Sequence, residues 1–324
     1  MKTLVTGGAG FVGGAVVRQL LERGDDVVVL DCLRTTTKED VPDGARLVVG
    51  QAGDRTLLDT VLGEGGFDAC LHFAGRIEAG ASMRVPETFF SINVAESLVL
   101  FEALVAHEVD RVVFSSSAAV YGDPDYTPID EDHPLRPVSA YGASKLLVEQ
   151  ALGWLARLGR LRYAALRYFN AAGAVAGRPE QHDPETHLIP LAIDAALGRR
   201  PPLVVFGDDY ATPDGTCVRD YVHVDDLATA HLLALDALDG RDEVVCNLGS
   251  GTGSTNAEVV ATVRSVTGRD VPVRVAPRRP GDAGVLVASS TRAQEELGWS
   301  AVRSELASIV EDAWSATVDG TGPR

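Results

Sequence analysis

Lys2-Thr3-Leu4-Val5-Thr6-Gly7-Gly8-Ala9-Gly10-Phe11-Val12-Gly13 is the stretch that decides the fold. Residues 2–6 read as a short apolar strand. The glycines follow at once, and Val12, Val16 and Leu20 then recur on one helical face. Strand, glycine turn and helix in that order bring bare backbone N–H groups to a helix N-terminus, where a phosphate binds. A Cβ in the turn would hold a pyrophosphate off the backbone. The glycines fit two registers, Gly8-x-Gly10-x-x-Gly13 and Gly7-x-x-Gly10-x-x-Gly13. Glycine turns of either spacing also occur with no ligand. The place of this one, opening a strand–helix unit, points to a dinucleotide.

Outward from the turn, residues 27–30 form a continuous apolar strand that ends at Asp31. A strand apolar on both faces belongs in a parallel sheet between helix layers. Asp31 stands about twenty residues beyond the turn, where a carboxylate accepts hydrogen bonds from an adenosine ribose and repels a 2′-phosphate, so NAD is expected rather than NADP. Strands at 47–49, 69–74, 111–115 and 161–169 alternate with helices at 54–62, 86–107 and 140–158. That alternation predicts an α/β fold, a Rossmann-type doubly wound parallel sheet. Beyond Asn170 the pattern loosens. Residues 171–186 read as loop, 188–198 and 291–297 as helices, and 203–206, 218–224, 244–248 and 271–275 as strands. These predict a smaller α/β substrate-binding domain. The expected division is 1–169 plus about 218–248 for NAD, and 170–217 plus about 249–324 for substrate, with a frayed end at 318–324.

The 324 residues suffice for roughly two domains. The net charge of −17 repels phosphate backbones and argues against nucleic acid as a partner. It also means that an anion site must be built locally. Four cysteines without a C-x-x-C pair read as reduced thiols, and seven histidines without H-E-x-x-H spacing give no expectation of a metal. With no signal-peptide pattern and no apolar run of membrane-spanning length, the expected location is the cytoplasm, away from membranes.

The chemistry centres on Tyr141-Gly142-Ala143-Ser144-Lys145, which opens a helix. Residues four apart share a helical face, so the phenol and the ammonium point the same way. A phenol is a poor base at neutral pH. A nearby ammonium, or a positive nicotinamide ring, stabilises its anion. The strand before it ends in Ser115-Ser116-Ser117, whose hydroxyls are placed to bond a substrate oxygen and relay its proton to Tyr141.

With Gly7-x-x-Gly10-x-x-Gly13 and Asp31 come His72-Phe73-Ala74-Gly75, Ser115-Ser116-Ser117-Ala118-Ala119-Val120-Tyr121-Gly122, Tyr141-x-x-x-Lys145 and Leu166-Arg167-Tyr168-Phe169-Asn170. In this order they resemble the extended short-chain dehydrogenase/reductases. Four C-terminal segments narrow the resemblance to the UDP-hexose 4-epimerase branch (UDP-glucose/UDP-galactose). They are Phe206-Gly207-Asp208-Asp209-Tyr210, Pro213-Asp214-Gly215-Thr216, Val218-Arg219-Asp220-Tyr221-Val222-His223-Val224 and Ala276-Pro277-Arg278-Arg279-Pro280-Gly281-Asp282. The resemblance covers nearly the whole chain. It implies inversion at C4 through a transient 4-keto sugar with tightly held NAD, in a homodimer paired through the helices at 86–107 and 140–158. Ser117, Tyr141 and Lys145 would be catalytic. Gly7, Gly10, Phe11, Val12, Gly13, Asp31, Cys32, Gln51, Ala52, Phe73, Ala74, Gly75, Asn93, Ser115 and Phe169, with Tyr141 and Lys145, would hold the cofactor. Ser117, Asn170, His187, Leu188, Val204, Phe206, Arg219, Arg279, Asp282 and Leu286 would hold the UDP-sugar, the arginines matching phosphate oxygens with a planar fork.

Departures from the family pattern qualify single contacts. Gln51 stands for an Asp facing adenine, Ile77 for a Lys, Ile92 for the first Asn of a pair, and His187 for an Asn at the diphosphate. Leu286 stands where some members have Tyr, which leaves room for an N-acetyl group and predicts acceptance of UDP-N-acetylhexosamines. The competing readings are a UDP-glucuronate 4-epimerase or related UDP-sugar enzyme and, from another class, an NAD-sensing regulator. A 4,6-dehydratase ranks low because Ala118 and Ala119 occupy the positions of its Asp-Glu pair.

Overall fold

The computed structural model describes residues 1–180, 182, 184–279 and 283–319. Seven strands make one parallel sheet: β1 (Lys2–Thr6), β2 (Asp26–Asp31), β3 (Arg46–Val49), β4 (Ala69–His72), β5 (Arg111–Ser117), β6 (Arg162–Tyr168) and, later in the chain, Glu243–Leu248. Read from one edge the order is β3-β2-β1-β4-β5-β6 and then Glu243–Leu248. The order reverses between β1 and β4. At such a switch point the loops leaving the two strands diverge and open a crevice beyond their carboxyl ends. The glycine turn and Phe73-Ala74-Gly75 flank that crevice.

The sheet is buried on both faces, as the apolar runs require. Val5, Val27, Val29, Leu71 and Val113 pack to one side with the helix Phe11–Arg23. Leu4, Val28, Leu30, Cys70, Val112 and Phe114 pack to the other with Leu100, Phe101 and Leu104. Successive residues of each strand alternate between these clusters, the period-2 pattern of a sheet.

Several expectations change. The helix expected at 86–107 has three parts: Pro86–Phe89, a π-helical turn at Phe90–Ala95, and Glu96–Ala106. The expectation that no apolar run reaches membrane length is corrected as well, since Pro86–Ala106 spans 21 residues and contains an 18-residue stretch with a mean hydropathy of 1.7. Its buried residues pack into the sheet's core, as in a core helix of this composition. Residues 171–186 are not all loop. β7 (Asn170–Ala172) is followed by a hairpin of β8 (Ala174–Val175) and β9 (Arg178–Pro179). The two residues between them, Ala176 and Gly177, both have positive φ (50° and 72°), which suits a tight hairpin turn. Ala-Gly is not a strong turn signal, so the pattern hid it.

Farther on come β10 (Leu203–Phe206), β11 (Val218–Arg219), β12 (Tyr221–His223), β13 (the seventh sheet strand, Glu243–Leu248), β14 (Ser254–Thr255), β15 (Val273–Ala276) and β16 (Val285–Leu286). The strand expected at 218–224 breaks at Asp220. β11 pairs with β14 and β16, while β12 pairs with β7. The fully buried Asp220 carboxylate makes the break. It accepts from the backbone N–H groups of Ser250, Gly251 and Ala288, tying three segments to one point. Two further helices, Asn256–Thr267 and Leu306–Asp319, had not been expected. The first carries a capping box between Thr255 and Glu258, satisfying the free N–H groups of its first turn. A separate apolar cluster joins Ile189, Ile193, Leu203, Val205, Val259, Val263, Ile309 and Val310. Ala293, Leu297 and Trp299, by contrast, pack into the sheet's own core.

His72, at the end of β4, is fully buried with Thr6 Oγ1 at 2.6 Å from Nδ1 and Ser97 Oγ at 2.8 Å from Nε2. Ser97 donates its own proton to the Asn93 carbonyl, so Nε2 carries the hydrogen and Nδ1 accepts from Thr6. Burial, aided by the Lys145 charge, pushes the His72 pKa down to about 3. Burial also lowers His231, to about 4. An unfolded chain therefore binds more protons than the native one between these values and about 6.5. Stability rises with pH through that window and is lost as pH falls through it, by roughly 1.4 kcal/mol per unit for each histidine. Denaturant midpoints measured from pH 7 to pH 4 should fall more steeply for wild type than for His72→Asn. Parallel curves would remove His72 as the cause.

Candidate active site

A cavity of about 360 Å³ opens at the switch point. Gly7, Gly10 and Gly13 line it, whereas Gly8 does not, and a Cβ on Gly8 would meet Val29 at 2.9 Å. The three-residue register is thus the one that faces the cavity. Gly7 has φ of +73°, and a Cβ there would lie 2.6 Å from the Ala74 nitrogen. At Gly13 it would lie 2.3 Å from the Gly7 carbonyl. Side chains are excluded where a pyrophosphate must approach the start of the helix Phe11–Arg23. Phe11, Val12, Asp31, Cys32, Gln51, Ala52, Phe73, Ala74, Gly75, Ser115 and Phe169 also line the cavity. Asp31 accepts from Ala9 N at 3.1 Å and Leu33 N at 2.9 Å, which aims its carboxylate along the turn with acceptor capacity remaining. The residues fit a dinucleotide.

Asn93 does not line the cavity. It lies in the π-helical turn, accepts from Arg76 N at 2.8 Å, and donates to Arg76 O and to Ser144 Oγ at 3.0 Å each. Its contacts brace the loop after β4, which does line the cavity, against the helix Ala140–Arg157. The wide turn of a π segment often marks a functional site.

Ser117, Tyr141 and Lys145 meet on the same cavity wall. Ser139 caps the helix by accepting from Gly142 N at 3.1 Å, and Tyr141 N donates to Ser82 Oγ at 3.0 Å. Burial raises the Tyr141 pKa, and a hydrogen bond with Ser117 opposes that rise. Lys145 is buried, donates to the Ser115 carbonyl at 2.7 Å, and holds Nζ 5.9 Å from the centre of the Tyr141 ring. Burial lowers its pKa to about 8, against the attraction of Glu149 one turn on. The Lys145 ammonium is anchored to a backbone carbonyl rather than to the phenol, and burial governs Tyr141 in the protein alone. Glu149 is itself locked to Arg167 at 2.6 Å and bonded to Ser116. Tyr168, missed in the sequence, lines the cavity with its hydroxyl 2.5 Å from Ser115 Oγ.

A second cavity of about 170 Å³ adjoins the first, sharing Asn170, Ala171, Glu180 and His187. It brings together Asn170, His187, Leu188, Val204, Phe206, Arg219 and Arg279. Val204 and Phe206 alternate with buried Leu203 and Val205 on β10, so both side chains face the cavity side. The Arg279 guanidinium stacks 3.8 Å from the Phe206 ring centre, and Arg219 donates to the Val218 and Ala283 carbonyls. Burial disfavours the His187 cation, but Glu180 and Glu185 outweigh it and raise the pKa to about 10. Asp282 lies outside the described residues. Leu286 lines neither cavity, because pairing of β16 with β11 turns it into an apolar cluster with Val120, Tyr121, Ile129 and Phe169. Glu180, Tyr221 and Asn256 line the second cavity and were not expected. Glu180 and Asn256 lie in segments whose strands and cap the pattern did not reveal, and Tyr221 follows the break in the strand expected at 218–224.

Residues 3–249 match the NAD dependent epimerase/dehydratase family. The chain is 48% identical to a UDP-glucose 4-epimerase of Corynebacterium glutamicum over 98% of its own length and 96% of that protein's. It is also similar to a crystal structure of UDP-glucose 4-epimerase from Brucella ovis in complex with NAD, with a TM-score of 0.94 and 42% identity over 97% of each chain. A UDP-glucose 4-epimerase from Bifidobacterium longum, solved in complex with NAD+ and UDP, gives a TM-score of 0.93 and 34% identity over 98% of each chain.

Proposed function

From the premise that the chain belongs to the NAD dependent epimerase/dehydratase family, we propose that it inverts C4 of a UDP-hexose, interconverting UDP-glucose and UDP-galactose. The observation that carries this reading is the adjacency of the two cavities, which share Asn170, Ala171, Glu180 and His187, with Ser117, Tyr141 and Lys145 on the wall of the first. Bound NAD would supply the hydride acceptor and donor that oxidation and reduction at C4 require. Gly7, Gly10, Gly13 and Asp31 hold it. Tyr141 accepts the proton of the 4-hydroxyl, directly or through Ser117, and gives it back after the sugar has turned. Lys145 supplies positive charge beside the phenol in a site of low dielectric. Val204 and Phe206 flank the uracil. Arg219, Arg279, Asn170 and the turn at His187 and Leu188 hold the diphosphate, and Asp282 the uridine ribose.

We read residues 1–169 and 218–248 as the NAD-binding domain and 170–217 with 249–324 as the UDP-sugar domain, with 291–299 joined to the first by its packing. The enzyme is placed in the cytoplasm, where NAD and nucleotide sugars are found. The test of function is conversion of UDP-galactose to UDP-glucose by purified protein with no added NAD+. A protein that holds NAD but turns over no UDP-sugar would be a sensor instead. The same assay with UDP-GlcNAc tests the pocket's reach. Leu286 touches the cluster that holds Phe169, a wall of the first cavity, so Leu286→Tyr should lower the UDP-GlcNAc to UDP-glucose rate ratio about tenfold. An unchanged ratio removes Leu286 from the determinants of specificity.

The protein assembles as a homodimer through the helices Pro86–Ala106 and Ala140–Arg157, which pack against each other and leave Leu98, Leu147 and Trp154 exposed, with Leu158 just beyond. Trp154 is 62% exposed and Leu158 67%, an apolar surface of the kind a partner covers. Trp154→Glu should shift the sedimentation coefficient from dimer to monomer at micromolar concentration. A wild type that sediments as a monomer refutes the assembly.

A further inference from the structure

Beside the junction of the two cavities, Glu180, His182 and His187 each offer one donor atom, and these atoms all lie within 4.8 Å of one another. Glu180 Oε1 lies 3.2 Å from His182 Nε2 and 3.0 Å from His187 Nδ1. Ligands on a tetrahedral zinc ion, with bonds of about 2.0–2.1 Å, stand about 3.3 Å apart.

Glu180 shares the single proton of one imidazole nitrogen with a second carboxylate. A single Nδ1 carries at most one proton, yet Glu180 Oε1 and Glu185 Oε1, at 3.0 and 2.9 Å, both face the Nδ1 of His187. Glu185 has other reasons for its position. It accepts from the backbone N–H groups of Thr186 at 2.7 Å and His187 at 2.8 Å through Oε1, and from His182 at 3.2 Å through Oε2. It therefore braces the loop. Glu180 is 8% exposed, and among the described residues its carboxylate meets the two imidazole nitrogens alone. A cation held by the three donors would supply the charge that the buried Glu180 carboxylate needs in place of the His187 proton.

We propose that Glu180, His182 and His187 bind a divalent transition metal of the zinc class, with Glu185 holding the loop in register. Two imidazoles and a carboxylate suit zinc, and three protein ligands leave a fourth position for water or a phosphate oxygen. Glu180 and His187 line both cavities, so the bound metal fixes the segment between them. The metal replaces the proton on His187 Nδ1, and binding releases it to solvent. The spacing E-x-H-x-x-x-x-H lies outside any helix, which is why a search for ligands one helical turn apart does not find it.

The test uses untagged, NAD-loaded protein stripped with chelator and titrated calorimetrically with Zn2+ alone, then with Co2+ followed by visible absorption. The expected result is saturable binding near one ion per chain, proton release, and the intense band of tetrahedral Co2+. Glu180→Gln and His182→Gln should each weaken binding at least about tenfold and abolish the band. Retained NAD and unchanged circular dichroism show that the variants are folded. Two results overturn the proposal: a wild type without saturable binding, or folded variants that bind as tightly as wild type. Either leaves only an ion pair of His187 with its carboxylates. No sugar enters the titration, so its failure leaves the epimerase reading untouched.

Discussion

Tyr141→Phe is expected to lower kcat for UDP-galactose by roughly 10³-fold while the NAD content of the purified protein stays at the wild-type level. The substitution removes one oxygen and leaves the ring that packs in the cavity wall. The proton of the 4-hydroxyl then has no acceptor, since the Tyr168 hydroxyl is engaged with Ser115 and is driven upward in pKa by burial. Loss confined to kcat marks an interaction made in the transition state. Stopped-flow absorbance at the NADH band should show no transient reduction when UDP-galactose is mixed with the variant. A kcat within tenfold of wild type would assign the base elsewhere.

Gly13→Ala should empty the enzyme of cofactor. The added methyl group would lie 2.3 Å from the Gly7 carbonyl oxygen and 3.1 Å from the Gly8 Cα. Backbone cannot rotate away as a flexible side chain does, so the turn must open. The opened turn no longer offers its N–H groups to the pyrophosphate together. The expected outcome is less than about a tenth of the wild-type NAD, with unfolding free energy reduced by roughly 2–4 kcal/mol from the backbone shift. NAD released by denaturation and measured by chromatography gives the first figure, and urea titration the second. A variant that keeps its full complement of NAD would show that the glycine serves packing alone. Gly65→Ala is a control for the loss of a glycine in itself. Its methyl group meets nothing within 4 Å, although its φ of +77° brings some strain.

The central sheet was readable because its evidence is local. Strand, glycine turn and helix follow each other within the first 23 residues, and Val27 to Leu30 could be buried on both faces only in a covered parallel sheet. Tyr141 and Lys145 were readable for the same reason, since one turn of helix carries both. Ser117 was found by its place at a strand end, and its bond to Tyr141 followed from the parallel order of the sheet. Beyond Asn170 the elements are short and their partners distant. β11 spans two residues, β16 two, and their pairing joins positions more than sixty residues apart. No periodicity can emerge over such lengths, so the hairpin at Ala176-Gly177 and the break at Asp220 stayed hidden.

Side-chain direction sets the remaining boundary. The identities of Gly7, Asp31, Ser117, Tyr141 and Lys145, and the order in which they occur, were enough to name the sheet and the cofactor, while the reaction was named by the resemblance of the C-terminal segments at 206–224 and 276–282. The sequence did not say that Asn93 braces a loop instead of touching cofactor, that Lys145 bonds a carbonyl, that Leu286 turns into an apolar cluster, or that Glu180 meets two imidazoles. Those outcomes depend on which neighbour lies across a strand pair or a loop crossing. That neighbour comes from a remote part of the chain, so the tertiary structure alone supplies it.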